Sequence, residues 1–269
     1  MKITAIILTQ NSERHIEECL KSVQWMDEIL VIDGGSTDNT VVLAEKLKAK
    51  VIVNSWPGFS VQRNLGLEIA TNEWVLMLDV DERVTPELRC EIQNALATLN
   101  EIVGFSIPTK NHFWGKWMRG WYPDRHTRLF NKSKARFIDR IIHESVILDG
   151  NIKCLQNPLI HFSYESLTHF VIKMNNYSSL GAQEKKQQGN SFSAMKLLLH
   201  PFTAFIKMYI IKGGFRDGIP GFVFAVSYSF YVFMKYAKLY PAEQNIQSQK
   251  ICSESPQKAQ NIKNQFYGS

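Results

Sequence analysis

One stretch of the chain reads Val31-Ile32-Asp33-Gly34-Gly35-Ser36-Thr37-Asp38-Asn39-Thr40. An apolar run ends in a carboxylate, two glycines let the backbone turn, and residues that favour helix N-termini follow. This order predicts a buried strand, a tight turn and a helix. Ligands of open α/β sheets bind at the carboxyl ends of strands, so Asp33 lies where a ribose or base could be hydrogen-bonded. An aspartate that only stabilises the turn would give the same pattern, and both interpretations stay open.

Short apolar runs alternate with helical patterns on both sides of this stretch. We predict strands at 3–8, 28–32, 51–53 and 74–78, and helices near 16–23, 41–47, 61–70 and 87–99. For the first helix Ser12 is the expected N-cap, and for the last one Thr85, with Pro86 at the first helical position. The alternation predicts an α/β fold with a mostly parallel central sheet flanked by helices.

Composition narrows the class of protein. The chain has 269 residues, of which 45% are hydrophobic and 21% charged, which indicates one large folded domain or a domain with an appendage. A net charge of +6 favours an anionic partner. The four cysteines lie far apart without a CxxC pair, which excludes a zinc or disulfide framework and suits the cytoplasm. The apolar N-terminus meets polar residues without a cleavage site and is interpreted as a strand.

A second carboxylate motif, Asp79-Val80-Asp81-Glu82, closes the fourth predicted strand. Side chains alternate along a strand, so Asp79 and Asp81 are expected on one side, where they could hold a hard divalent cation, Mg²⁺ or Mn²⁺. Two aspartates at this spacing are a weak signal alone. Their place beside the strand of Asp33 favours a metal site for a diphosphate, although the GxGxxG and GxxxxGK[ST] fingerprints are absent.

Together these segments resemble inverting family-2 glycosyltransferases, which have the GT-A fold. The resemblance rests on four segments in order, Ile6-Ile7-Leu8-Thr9-Gln10-Asn11-Ser12-Glu13, residues 31–38, Gln62-Arg63-Asn64, and residues 79–82. It implies an enzyme that transfers a hexose from a nucleotide sugar, most often a UDP-sugar, with help from a divalent metal.

The resemblance also implies roles for individual residues. Thr9, Asn11 and Asp33 would line the uridine pocket, and Arg63 and Asn64 would lie beside it. The aspartates Asp79 and Asp81 would hold the metal on the diphosphate.

The second half resembles a narrower branch, the glucosyltransferases that extend the inner core of bacterial lipopolysaccharide. The matching segments are Arg128-Leu129-Phe130, Ile142-His143-Glu144, His161-Phe162-Ser163-Tyr164, residues 213–218 and Gly221-Phe222. This branch implies glucose as the sugar and a lipopolysaccharide core or similar glycolipid as the acceptor. The enzyme would be peripheral on the inner face of the cytoplasmic membrane, with no nucleic-acid partner.

An inverting transfer needs a carboxylate base for the acceptor hydroxyl. Many family members carry it in a Glu-Asp pair after the fifth strand, and this chain has no such pair there. Glu144 is the first candidate because it follows the apolar run 137–142; Asp124 is the second, and Asp139 another. Glu144 could instead pair with a nearby arginine.

Further residues of this half have two interpretations each. His161 has the position of the histidine that completes the metal site in many GT-A enzymes, or it is an ordinary histidine beside Phe162 and Tyr164. Arg125 and Arg128 are candidates for phosphate contact, because guanidinium groups bind phosphate bidentately. Four aromatic residues could stack on a sugar or form a plain hydrophobic cluster: Trp114, Trp117, Trp121 and Tyr122.

We predict a catalytic domain at 1–163, with a nucleotide-sugar half at 1–100 and an acceptor and base half at 101–163. A helical segment follows at 164–241, and a polar tail, expected to be disordered, at 242–269. Residues 218–234 carry no charge, but Pro220 and Gly221 interrupt them and they are short for a membrane span. With the surrounding lysines they favour a helical pair lying on an anionic leaflet. Helices that simply cover the core are the alternative.

Two other functions compete with transfer to a glycolipid. The first is sugar transfer to polyprenyl phosphate. The second is a basic, non-enzymatic module that binds a membrane or nucleic acid, which has no evident need for two aspartates at a strand end.

Overall fold

The computed structural model describes residues 1–56, 58–138, 145–164 and 166–241. The strands are β1 Ile3–Thr9, β2 Glu28–Asp33, β3 Lys50–Val53, β4 Trp74–Asp79, β5 Glu82–Val84, β6 Ile102–Phe113, β7 Lys116–Trp117, β8 Asp124–Asn131, β9 Ala135–Ile138, β10 Ser145–Leu148, β11 Asn151–Cys154 and β12 Leu159–Tyr164. The helices are α1 Ile16–Val23, α2 Thr40–Lys46, α3 Phe59–Ile69, α4 Pro86–Ala97, α5 Leu167–Gln187, α6 Ala194–Ile206 and α7 Gly218–Ala237. Shorter helical turns cover Arg119–Trp121, Lys132–Lys134, Lys207–Ile211 and Gly214–Asp217.

Within the described residues ten strands form one sheet, in the order β3-β2-β1-β4-β8-β6-β12-β5, with β7 and β11 also paired to β6. The first four strands are parallel, with β1 between β2 and β4. Every residue of β1 is buried, because helices cover both faces of a parallel sheet. The predicted α/β fold with its flanking helices is confirmed.

The second half of the sheet is mixed, and its register brings distant residues together. Strand β8 is antiparallel to β4 and to β6, and β12 is parallel to β6. His161 of β12 is opposite Asn111 of β6 on one side and Glu82 of β5 on the other. The segment that follows β4, which includes Glu82, therefore lies beside His161.

The predicted helices are present, and most of their ends are within two residues of the prediction. Thr85 is the N-cap of α4, where its side chain accepts a hydrogen bond from Leu88 N–H, and Pro86 is the first helical residue. The prediction that Ser12 caps α1 is wrong. The N-cap is His15, and the Ser12 hydroxyl donates instead to the carbonyl of Gln10, because the chain turns once more before the helix begins.

The C-terminal helices pack on the sheet through an aromatic cluster. Phe224 of α7 lies 4.8 Å from Trp121 and 5.8 Å from Phe113, measured between ring centroids. Asp217, buried at the start of α7, accepts hydrogen bonds from the backbone N–H groups of Arg119 and Gly120. One buried carboxylate thus joins α7 to the loop before β8.

The domain boundaries proposed from the sequence stay predictions. The tail at 242–269 lies outside the described residues. Helix α5 begins after the expected boundary at residue 163, yet it packs against both α7 and β12.

Candidate active site

A cleft of about 540 Å³ opens at the carboxyl ends of β1 and β4. Its walls come from the ends of these strands, from β8 and β12, and from one face of α5. This is the edge at which parallel α/β sheets bind ligands. Of the residues singled out in the sequence, the cleft is lined by Thr9, Arg63, Trp121, His161 and residues 79, 81, 124, 125 and 128.

Asp79 is held by two arginines. Its Oδ1 lies 3.0 Å from Nη2 of Arg63, and its Oδ2 lies 2.9 Å from Nη2 of Arg128. Burial raises the pKa of the Asp79 carboxyl, but the guanidinium groups of Arg128 and Arg63 outweigh burial and hold the pKa far below its usual range. Both carboxylate oxygens of Asp79 therefore pair with arginine side chains.

Asp81 lies in the turn between β4 and β5 and faces His161, with 3.2 Å between Asp81 Oδ2 and His161 Nε2. Burial raises the pKa of Asp81, but His161 outweighs burial and lowers it. Burial alone would lower the pKa of His161, and the Asp81 carboxylate raises it above its usual value. Asp81 and His161 come together because β5 and β12 are paired and Phe162 N–H donates to the carbonyl of Asp81.

The pair of Asp81 and His161 fits a divalent cation. Neighbouring ligands of an octahedral ion with bonds of about 2.1 Å lie about 3 Å apart, which matches the separation of Oδ2 and Nε2. Among the described residues no group of three or more His, Cys, Asp or Glu side chains could hold a metal ion. Magnesium commonly uses one or two protein ligands, with water and substrate phosphates completing its shell.

A buried amide joins His161 to Asp124. Asn111 Oδ1 lies 2.8 Å from His161 Nδ1, and Asn111 Nδ2 donates to Asp124 Oδ2 at 3.0 Å. Asp124 also lies 3.2 Å from His126 Nε2. Burial raises the pKa of Asp124, but the hydrogen bonds from His126 and Asn111 lower it overall. Asp124 is thus an ionised carboxylate in the cleft.

The loop after β2 is built around Asp33. Its carboxylate is buried and accepts hydrogen bonds from the N–H groups of Gly35 and Ser36 and from the Ser36 hydroxyl. Asn11 joins this loop through its Oδ1, which accepts from Thr37 N–H. Both side chains shape the loop, and neither lines the cleft. Their roles in binding uridine stay predictions.

Two polar side chains at the end of β1 do face the cleft. Thr9 Oγ1 and Gln10 Oε1 are buried and have no hydrogen-bond partner among the residues that the structure describes. Trp56 and Phe59 line the cleft beside them, with their rings perpendicular and 4.7 Å apart. Unsatisfied buried acceptors next to aromatic rings are features of a ligand site.

Asn64 is positioned differently from its neighbour Arg63. Its side-chain amide makes hydrogen bonds to both the N–H and the carbonyl of Phe137, which joins α3 to β9. It does not line the cleft. Arg125 lines the cleft, and its guanidinium donates to the carbonyl of Leu155 at 2.7 Å.

The structure describes only one of the first two candidate bases. Glu144, like Asp139, lies outside the described residues, and Asp124 lies in the cleft. Of the four aromatic residues proposed to stack on a sugar, Trp121 lines the cleft; Trp114, Trp117 and Tyr122 do not.

Sequence reasoning missed the wall that α5 contributes. Five side chains of this helix face the cleft: His169, Lys173, Asn176, Tyr177 and Leu180. Their spacing is that of one helix face, and this periodicity is visible in the sequence. In the division predicted from the sequence, however, they fall in the helical segment 164–241, outside the catalytic domain. The Lys173 ammonium lies 5.2 Å from the centre of the Tyr164 ring and contributes to the low pKa of Asp81.

Two C-terminal stretches, Ala194–Ile211 and Gly214–Ala237, are long and apolar enough to cross a membrane by length and composition alone. Buried core helices can pass the same test, but here only 11% and 28% of the most apolar windows are buried. Large apolar side chains are exposed along both: Met195, Leu198, Leu199, Phe202, Ile210, Ile211, Ile219, Phe222, Val226, Phe230 and Phe233. We call this set the apolar face.

Comparisons with known proteins agree with this geometry. The family profile described as "Glycosyl transferase family 2" matches residues 4–153. An uncharacterized glycosyltransferase of Rickettsia felis is 33% identical over 98% of this chain and 97% of its own length. The lipopolysaccharide core biosynthesis glycosyltransferase LpsC of Rhizobium meliloti is 28% identical over 89% of this chain and 92% of its own.

Among solved structures, S. aureus TarS aligns over 93% of this chain and 92% of its own with 15% identity and a TM-score of 0.45. The family match and the sheet order confirm the expected GT-A fold and the expected transferase activity. The cleft lies at the strand ends, and the family profile matches more than half of the chain. We conclude that the chain belongs to glycosyl transferase family 2.

Proposed function

We propose that this glycosyltransferase transfers a hexose from a UDP-sugar to a lipopolysaccharide core or similar glycolipid acceptor, with inversion at the anomeric carbon. Glucose is the first candidate for the sugar. It works peripherally at the inner face of the cytoplasmic membrane. The observation that carries the proposal is the pair of Asp81 and His161 beside the two arginines that hold Asp79, all within one cleft.

The donor half is supported by unsatisfied groups at the end of β1. The acceptors Thr9 Oγ1 and Gln10 Oε1 suit the polar edge of uracil, and Trp56 or Phe59 can stack on its face. Arg128 Nε is buried without a hydrogen-bond partner in the described part of the chain, which leaves it for a phosphate oxygen.

Asp81 and His161 would hold a divalent cation on the diphosphate, and Asp79 would act mainly by orienting the two arginines. When bound, the cation supplies stabilisation of the negative charge that builds on the departing UDP. Arg63 and Arg128 add positive charge to the same side of the cleft. This assignment gives the two aspartates different tasks, where the sequence suggested one.

Inversion requires one in-line displacement, with a carboxylate on the acceptor side taking the hydroxyl proton. Asp124 lies in the cleft as an ionised carboxylate, and Glu144 remains the other candidate. Loss of the true base should lower kcat by about 10²- to 10⁴-fold.

The acceptor half rests on the C-terminal helices and on the name of one relative, LpsC. Between residues 185 and 241 the chain has eight Lys or Arg residues and one acidic residue, Asp217, which is buried. A basic segment with an exposed apolar face is the combination that binds an anionic leaflet. This combination supports a lipid-linked acceptor for the cleft.

The test is UDP release from a panel of UDP-sugars, with and without Mn²⁺ or Mg²⁺, in the presence of a lipopolysaccharide-core acceptor or polyprenyl phosphate. The variants are Asp81→Asn, Asp124→Asn and Glu144→Gln, and Asp149→Asn, an exposed aspartate outside the cleft, is the control. We expect metal-dependent turnover of one donor with the core acceptor, lost in Asp81→Asn and retained in Asp149→Asn.

Other outcomes overturn defined parts of the proposal. Product on polyprenyl phosphate alone would overturn the acceptor assignment. Turnover without metal that survives Asp81→Asn would overturn the metal role. If no nucleotide sugar is turned over with either acceptor, the donor class is overturned. The basic C-terminal segment, as part of a non-enzymatic binding module, then becomes the favoured functional region.

A further inference from the structure

Asn111 occupies a central place between three functional side chains. It lies on β6, is 1% exposed, and is opposite His161 of β12. Two residues earlier on the same strand, Thr109 is opposite Asp124 of β8. The strand register therefore brings the Asn111 side chain between a candidate metal ligand and a candidate base.

The orientation of this amide follows from its neighbours. Asp124 is ionised and can only accept hydrogen bonds, so the group 3.0 Å from its Oδ2 must be the amide nitrogen of Asn111. The amide oxygen then faces the other way. There it accepts from the Ser163 hydroxyl at 3.0 Å and lies 2.8 Å from His161 Nδ1.

An amide oxygen has no proton to give, so His161 Nδ1 must carry one. Without a metal, Nε2 can also carry a proton and donate it to the Asp81 carboxylate 3.2 Å away. When Nε2 gives up that proton, the proton held on Nδ1 leaves the lone pair on Nε2, the nitrogen that faces Asp81. Metal-binding histidines commonly donate their other ring N–H to a fixed acceptor in this way, which sets both tautomer and ring orientation.

We propose that Asn111 is a positioning residue that fixes the tautomer of His161, so that Nε2 and the Asp81 carboxylate face a divalent cation together, and that the same amide holds Asp124. This inference rests on the proposed metal role of Asp81 and His161. It adds a residue that touches neither metal nor substrate, and it connects the donor and acceptor sides of the cleft through one side chain.

The first experiment needs no metal and no substitution of Asn111. Two-bond ¹H–¹⁵N spectra of histidine-labelled full-length protein report which nitrogen of a neutral imidazole carries the proton. His161 is assigned by the signal lost in His161→Gln. We expect a proton on Nδ1, alone or together with a second proton on Nε2 facing Asp81, and a ring protonated on Nε2 alone would overturn the inference.

The second experiment measures Mn²⁺ affinity in the presence of UDP, by the electron paramagnetic resonance signal of free Mn²⁺. Asn111→Leu removes the hydrogen bonds to His161, Ser163 and Asp124 and should weaken Mn²⁺ binding by about 10- to 100-fold. Asn111→Asp keeps an acceptor for His161 and should retain Mn²⁺ affinity, but it presents a carboxylate to Asp124 and should lose turnover. Thr109→Val, a buried change on the same strand outside the cleft, is the matched control and should change neither.

The outcomes separate this inference from the function on which it rests. Equal Mn²⁺ affinity in wild type and in a folded Asn111→Leu variant overturns the role of Asn111, as does equal loss of Mn²⁺ affinity in Asn111→Asp and Asn111→Leu. If the wild-type protein binds no Mn²⁺ with UDP, the metal role of Asp81 and His161 is overturned, and the tautomer measurement still decides what Asn111 does to His161.

Discussion

Arg128 lies between two carboxylates, with its Nη2 2.9 Å from Asp79 Oδ2 and 2.7 Å from Glu82 Oε1. Burial raises the pKa of Glu82, which is fully buried, whereas the arginines lower that of Asp79. Glu82 also accepts a hydrogen bond from the backbone N–H of Asp79. One guanidinium thus compensates the buried carboxyl of Glu82 and the partly exposed carboxylate of Asp79 in the cleft.

Replacing this arginine should destabilise the whole protein. Arg128→Met leaves Glu82 and Asp79 short of a positive charge, and removing one partner of a buried ion pair costs about 3 to 5 kcal/mol. The free energy of unfolding from urea titration measures the loss. Arg136→Met, at an exposed arginine on β9, is the control and should not differ from wild type. A loss equal to that of the control would show that Arg128 has only a binding role.

The close approach of α7 to the turn before it should tolerate no added methyl group. A Cβ at Gly221 would meet the carbonyl of Gly214 and lie 2.8 Å from Asp217 Cβ. We expect Gly221→Ala to cost about 1 to 3 kcal/mol, the range for overpacked sites, and to speed tryptic cleavage after Lys212. Val226→Ala, at an exposed position of the same helix, should leave both unchanged. Wild-type stability in Gly221→Ala would contradict this packing.

The apolar face should control binding to lipid vesicles. Leu198 and Phe202 are 71% and 64% exposed, and each side chain gains roughly 1.5 to 3 kcal/mol on leaving water. The double change Leu198→Ser/Phe202→Ser should lower partitioning into anionic vesicles by about 10-fold or more, measured by co-sedimentation. Val42→Ser alters an apolar side chain on α2 that is 63% exposed, and it should bind vesicles like wild type. Equal binding of all three proteins would exclude this surface from the membrane contact.

The cysteines should differ in reactivity. Cys19 lies on the buried side of α1, and burial raises the pKa of its thiol to about 12, whereas Cys90 and Cys154 are exposed. The thiolate is the reactive form, so at pH 8 alkylation of Cys19 should be slower on the order of 100-fold or more. Peptide mapping after brief iodoacetamide treatment measures the three sites. In guanidinium chloride the three rates should converge, and fast labelling of Cys19 in the folded protein would contradict the structure.

The first 85 residues were the most predictable part of the fold. Strands and helices there follow from local patterns, such as the buried residues of α1 at 16, 19, 20 and 23. The wrong cap at Ser12 shows the limit of that approach, because one extra turn changed which residue begins the helix.

The sequence predicted only part of the site, and the reason is physical. A motif shows which residues are adjacent in sequence, but the partners of Asp79 come from residues 63 and 128, and that of His161 from residue 111. The pairs made by Arg128 and Asn111 depend on the register of β6, β8 and β12, and that made by Arg63 depends on the position of α3; no local pattern specifies either. The resemblance identified part of the site, whereas the structure supplied the pairing of its residues and the wall formed by α5.

Helix α5 has one face in the candidate cleft and packs its other side against α7, which carries part of the apolar face. The C-terminal helices are therefore not a detachable anchor. A chain shortened at residue 163 would lose six residues of the cleft wall, Tyr164 and five residues of α5, together with the helices that carry the apolar face. Truncation would therefore remove part of the candidate site, whereas substitutions on the outer surface of α6 would leave the cleft whole.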